Sequence, residues 1–192
     1  MKNFFYGAGV FAAMLSFMSP PHANAQALQY APTGTEILWG DINSDKTSLV
    51  VVGKADGNRV NWTSNGKYRG TMFLLCWTCN PDHYDIEEDK LKPFSPLAVG
   101  KSVSVERTKG GKTWTDVLTV KEKTKITIPA GEFDVFVIEN KSKVNIGFWS
   151  GSRTYYFSPK LGWTVKIKSS DSEDHDWAWH VLAVNGKTGV KF

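Results

Sequence analysis

The stretch Trp163-Thr164-Val165-Lys166-Ile167-Lys168 decides the fold class. Its apolar residues Trp163, Val165 and Ile167 share one parity, and Thr164, Lys166 and Lys168 share the other. A period of two alternates side chains across an extended strand, whereas a helix repeats about every 3.6 residues. The stretch therefore reads as a half-buried antiparallel strand.

The same period recurs on both sides of it. Trp177, Trp179 and Val181 alternate, as do Ser102-Val103-Ser104-Val105, Val60-Asn61-Trp62 and the stripe Phe133, Val135, Val137. Turn residues punctuate these runs at Asp56-Gly57-Asn58, Asn65-Gly66, Gly110-Gly111, Ala130-Gly131, Ser150-Gly151 and Asn185-Gly186. Their spacing of roughly 8–12 residues is that of a sandwich or barrel. Asn-Gly and Gly-Gly suit the positive φ angles of tight hairpins. The expectation is an all-β domain, an antiparallel meander of about eleven strands curled into a half-open barrel or a sandwich. Strands are expected near 35–40, 48–54, 58–64, 68–77, 101–108, 113–121, 124–128, 133–140, 144–150, 153–158, 162–168 and 177–184, with one of these merging or failing. Residues 80–100 break the rhythm with Pro81, Pro93 and Pro96 and read as a long connection with one short helical turn. Residues 169–176 read as an exposed hairpin loop.

The N-terminus carries a different signal. Lys2 precedes the apolar run Phe4 to Met18, then Pro20-Pro21 and the small-residue site Ala23-Asn24-Ala25. Charge, apolar run and A-x-A site together predict a cleaved signal peptide over residues 1–25, followed by a single β domain over 26–192. No cysteine stands at the cleavage site to take a lipid. The expected location is the periplasm, with secretion as second choice, and no membrane span is expected in the mature chain. Removing Lys2 lowers the formal charge from +4 to +3 (22 basic minus 19 acidic). The charges are scattered among aromatics rather than clustered, which argues against a nucleic-acid partner.

The only two cysteines, Cys76 and Cys79, stand two residues apart in Phe73-Leu74-Leu75-Cys76-Trp77-Thr78-Cys79-Asn80-Pro81. In an oxidising compartment such a pair is expected to close a disulfide, here a local clip where a strand leaves the sheet. A thiol–disulfide oxidoreductase is the alternative. It calls for a lowered cysteine pKa, usually at a helix N-terminus, whereas a strand precedes this pair and Asn-Pro follows it. Cys76, Cys79 and His83 supply three ligand types, but a structural zinc site normally has a second paired half, so no metal and no cofactor is expected. His175 and His180 flank a tryptophan strand beside Asp171, Glu173, Asp174 and Asp176. That segment lacks the glycine and distant glutamate of a calcium loop and reads as a solvated acidic turn. Gly111-Lys112-Thr113 and Gly100-Lys101-Ser102 lack the earlier glycine of a phosphate loop, and no G-x-S-x-G occurs.

Three segments bear a family resemblance: Pro96-Leu97-Ala98-Val99-Gly100-Lys101, Ile128-Pro129-Ala130-Gly131-Glu132-Phe133-Asp134-Val135-Phe136 and Tyr155-Tyr156-Phe157-Ser158-Pro159-Lys160-Leu161-Gly162. In this order they resemble exported bacterial β-proteins of unassigned function, close to the DUF3108-type domains. These in turn are similar in architecture to the open-barrel lipoprotein carriers of the periplasm. The resemblance covers residues 94–168, implies the fold, and brings no catalytic residue with it.

All eight tryptophans lie in the mature chain. A curled sheet with this aromatic load can hold an apolar ligand between its faces. The reading favours an exported binding or envelope-maintenance protein over an enzyme. The residues proposed to touch the ligand are Trp62, Trp77, Trp114, Trp149, Trp163 and Trp179. The partner classes are a lipid, a lipoprotein segment or a cell-wall glycan.

Overall fold

A computed structural model describes residues 28–191. The signal-peptide segment and Phe192 lie outside the described residues. Twelve strands form one sheet: β1 (Glu36–Asp41), β2 (Thr47–Asp56), β3 (Arg59–Ser64), β4 (Lys67–Phe73), β5 (Asp85–Ile86), β6 (Ser102–Lys109), β7 (Lys112–Ile128), β8 (Gly131–Val144), β9 (Ser150–Ser158), β10 (Trp163–Asp171), β11 (Trp177–Val184) and β12 (Val190–Lys191). A four-residue helix α1 (Glu88–Leu91) and a 3-10 turn (Lys92–Phe94) interrupt the connection after β5.

The spatial order is β4-β3-β2-β1-β11-β10-β9-β8-β7-β6-β5, antiparallel throughout, with β12 pairing parallel to β8. The ends of this path, β4 and β5, do not pair with each other, so the sheet is not closed into a barrel. It is nevertheless curled. Ala130 N, at the β7–β8 turn, donates to Val181 O of β11, although two strands separate β11 from β8 in the sheet. Near the path's two ends, Arg59 of β3 pairs with Glu88 of α1 at 2.5 Å. Of the two architectures expected, the half-open barrel is the one observed.

Individual strand limits differ from the expectation for local reasons. β4 stops at Phe73 because Leu74 (φ 43°) and Leu75 (φ 66°) turn the chain through the left-handed region. The segments expected at 113–121 and 124–128 are one strand, β7, carrying a register shift between Val120 and Glu122. No strand spans 144–150. Residues 145–149 form the β8–β9 turn, entered by Asn145, whose N–H donates to Thr113 O.

The stripes bury as their parity requires. Trp163, Val165 and Ile167 are all inside. Phe133 and Val135 are inside too, but then the inward parity of β8 changes, and Ile138, Asn140 and Ser142 are the buried residues. The change sits opposite the register shift in β7. An extra residue in one strand changes which residues of the pair share a face; β7 keeps its even positions inward (Asp116, Leu118, Val120 and Ile128), so the change falls on β8. It is this slip that turns two polar residues of β8 into the interior.

Candidate functional site

The site begins at the turn after β4. Cys76 N donates to Phe73 O and Cys79 N donates to Cys76 O, which folds the backbone back on itself. Cys76 and Cys79 form a disulfide with Cα atoms 5.0 Å apart, and both residues are fully buried. The bond sits in a turn rather than at a helix N-terminus. Thr78 Oγ1 lies 3.3 Å from Cys76 Sγ.

The two residues held between the sulfurs enter the curled sheet. Trp77 meets Trp39 of β1, Trp62 of β3 and Trp163 of β10 edge to face, at centroid distances of 6.3, 5.5 and 5.6 Å. Such geometry matches the positive edge of one indole to the negative face of another. Its Nε1 donates to Thr164 Oγ1 at 3.2 Å. Trp77 is thus a plug that brings tryptophans of three strands, distant in sequence, into one cluster.

Thr78 reaches a buried polar centre. Its hydroxyl donates to Asp116 Oδ1 at 3.1 Å. The same carboxylate accepts from Asn140 Nδ2 at 3.1 Å, from Ser142 Oγ, and, on Oδ2, from Arg107 Nε at 2.6 Å. Asp116 is fully buried and Arg107 nearly so. The guanidinium of Arg107 lies against two near-perpendicular rings, 4.7 Å from the centroid of Tyr84 and 4.8 Å from that of Trp114. Charge pairing, hydrogen bonds and cation–π contacts together offset the cost of taking both ions out of water. Tyr155 is buried beside this centre, and that burial pushes its hydroxyl up to about 12.

Above Trp77 the cluster opens to solvent as a groove of about 250 Å³ lined by Trp39, Trp62, Trp77, Trp177 and Trp179, with Val50 and Ile167. Its polar lining is the hydroxyl pair Ser48 and Ser64, whose Oγ atoms lie 2.6 Å apart. Among the described residues, the buried indole N–H groups of Trp39 and Trp163 find no acceptor.

The six tryptophans named from sequence separate into two places. Trp62, Trp77, Trp163 and Trp179 come together, with Trp163 completely buried beneath Trp77. Trp114 and Trp149 lie apart, on a rim concavity of about 700 Å³ that also contains Lys112, Ser172 and Glu173. Trp114 is engaged with Tyr84 and Arg107, and the ring of Trp149 lies over Gly151. Trp39 and Trp177 belong to the groove and were missing from the sequence reading. Trp177 was legible, since it shares the parity of Trp179. Trp39 needed the pairing of β1 with β11, which sets it opposite Val181.

No family model matches the chain. No curated protein matches it either. Solved structures of similar fold do exist. A protein described as a lipoprotein from Parabacteroides distasonis ATCC 8503 aligns with TM-score 0.50 and 12% identity, over 84% of this chain and 100% of that one. A protein described as exported, with a YmcC-like fold, from Bacteroides fragilis NCTC 9343 aligns with TM-score 0.47 and 9% identity, over 83% and 99%. The hypothetical lipoprotein YmcC from Escherichia coli (K12) aligns with TM-score 0.44 and 11% identity, over 82% and 89%. At these identities the likeness is one of fold. The Parabacteroides alignment agrees with the all-β fold that the resemblance implied, while no family model adds the narrower DUF3108-type assignment.

Proposed function

We propose that this is an exported protein of the periplasm, with a single β domain over residues 26–192, that holds an apolar ligand in the tryptophan groove and catalyses no reaction. The observation that carries this reading is the groove itself: five indoles converge on one opening whose polar lining is two serine hydroxyls bonded to each other. A core built for stability alone gains little from tryptophan where the N–H finds no acceptor, because an unpaired buried donor costs about 1–3 kcal/mol. Trp39, which lines the groove, has no acceptor for its buried N–H among the described residues. Binding pockets for whole small molecules run roughly 300–1,000 Å³. A groove of about 250 Å³ suits part of a larger ligand, such as a short acyl segment of a lipid or lipoprotein, or one sugar ring of a glycan stacked on an indole. The thiol–disulfide alternative has no observation in its favour, since both cysteines are enclosed and the bond lies in a turn.

The test is a titration of the native protein, followed by tryptophan fluorescence, with a monomeric short-chain phospholipid and separately with soluble cell-wall fragments. Saturable binding to one of them, weakened about tenfold or more by Trp179→Ala with the fold intact, is the expected result. Absence of saturable binding to either, or binding untouched by Trp179→Ala and Trp62→Ala, overturns the reading.

A further inference from the structure

A second surface lies away from the groove, where three hairpin turns stand side by side along one end of the sheet. The β6–β7 turn is Lys109-Gly110-Gly111-Lys112, the β8–β9 turn is Asn145-Ile146-Gly147-Phe148-Trp149, and the β10–β11 turn carries Glu173, Asp174 and Asp176. Backbone contacts fix their order. Asn145 N donates to Thr113 O at 2.8 Å, and Thr113 N donates to Asn145 Oδ1 at 3.0 Å, which ties the first turn to the second. Ser172 N donates to Ser150 O at 2.9 Å, and Ser150 N donates to Ser172 Oγ at 3.1 Å, which ties the second to the third. Along the rim the sequence of surfaces is therefore basic, apolar, acidic.

The apolar turn is unusually bare. Phe148 is 101% exposed and Ile146 66% exposed. Both form part of the wall of the rim concavity of about 700 Å³, with Lys112 and Glu173 also among its lining residues. A bare apolar turn with opposite charges on its two sides is a self-complementary pattern. When two such rims meet about a two-fold axis perpendicular to the rim, left and right exchange. The lysines of each copy then face the carboxylates of the other, and the two apolar turns meet at the centre. A two-fold along the rim would instead set like charges against each other. An anionic membrane would attract Lys109 and Lys112 but repel Glu173, Asp174 and Asp176 on the same edge.

We propose that this rim is the contact between two copies of the chain, in which Phe148 is the central anchor and the flanking turns select the antiparallel arrangement. Central aromatics surrounded by polar residues are the usual anchors of such contacts. The inference does not depend on the groove or on any ligand.

The test is sedimentation velocity of the purified protein over a concentration series at low and high salt, with circular dichroism to verify the fold of each variant. A dimer is expected that weakens as salt rises. Phe148→Ser should weaken it by about tenfold or more. Lys109→Glu with Lys112→Glu makes the whole rim acidic, and Glu173→Lys with Asp174→Lys makes it basic. Each pair of substitutions alone should weaken self-association by about tenfold, the scale of a few exposed charge pairs. Mixing the two variants should restore a dimer containing one copy of each. A protein that stays monomeric throughout overturns the proposal, as does a dimer indifferent to Phe148→Ser and to charge reversal. Binding of the monomer to anionic vesicles, lost with Phe148→Ser, would assign the apolar turn to a membrane surface instead.

Discussion

Thr78 Oγ1 lies 3.1 Å from Asp116 Oδ1, so one of the two residues between the disulfide cysteines is tied to the buried carboxylate of β7. The clip, the tryptophan plug and the polar centre are therefore one mechanical unit. Disturbing any one of them should register in the others.

Asp116→Asn removes the carboxylate that pairs with Arg107 and leaves a buried guanidinium uncompensated. Breaking one side of a buried ion pair costs about 3–5 kcal/mol. For a domain of this size that lowers the Tm by roughly ten degrees or more. Replacing both residues, Asp116→Asn with Arg107→Met, should cost less than the sum of the two single changes, measured by denaturant unfolding. Additive costs would show that the two residues do not act as a pair.

The Cys76–Cys79 disulfide closes a very short loop, for which the chain-entropy relation gives only about 2 kcal/mol. Cys76→Ser with Cys79→Ser should lower stability by about that amount and leave the circular dichroism intact. Because both cysteines are buried, native protein isolated without reductant should show no reactive thiol until it is unfolded and reduced. Thiols titrating in the native state would contradict the enclosed clip.

His180 sits opposite Lys166 across β10 and β11. Burial first, and the Lys166 charge second, hold its pKa below the ordinary 6.5. The sign follows from proton uptake. Above pH 6.5 both folded and unfolded chains carry a neutral imidazole, so the group contributes nothing to pH dependence. As pH falls through 6.5 the unfolded chain takes up a proton that the folded chain resists, and stability declines. His180→Gln should flatten the fall of Tm between pH 7 and the onset of carboxylate titration. An unchanged slope would remove His180 as its source.

Two glycines with similar backbone angles should respond differently to alanine. Gly162 (φ 72°) has the N-terminal segment against it, and an added Cβ would stand 2.5 Å from Tyr30 C and 2.7 Å from Gln29 O. Gly110 (φ 58°) has nothing within 4 Å. Gly110→Ala should cost roughly the 1–2 kcal/mol of a left-handed alanine. Gly162→Ala should cost clearly more, because the backbone of residues 29–31 must also move. Equal losses in thermal unfolding would mean that this packing contributes nothing.

Much of the architecture was legible from period and turn chemistry. The stripe Trp163, Val165, Ile167 and the glycine-marked turns foretold an antiparallel all-β sheet, because alternation reports directly on which face is wet. What alternation could not report is a slip within it. The stripe Phe133, Val135, Val137 continues in sequence, yet the inward face passes to Ile138, Asn140 and Ser142 beside the register shift in β7. Nothing in the residue types marks that shift, so the polar centre around Asp116 was not foreseen.

The site was legible in part for a similar reason. Composition pointed to tryptophan and could not say which tryptophans meet. Trp39, Trp62, Trp77 and Trp163 span 124 positions of the chain (163 minus 39) and are joined by edge-to-face contacts through Trp77. Trp114 and Trp149, equally plausible by composition, stand elsewhere. By itself the amino-acid order determined strands, turns and the expectation of a cysteine clip, since each depends on neighbours a few positions apart. Only the tertiary structure decided that the clip drives Trp77 and Thr78 into the curled sheet, because that placement depends on strand pairings between residues far apart along the chain.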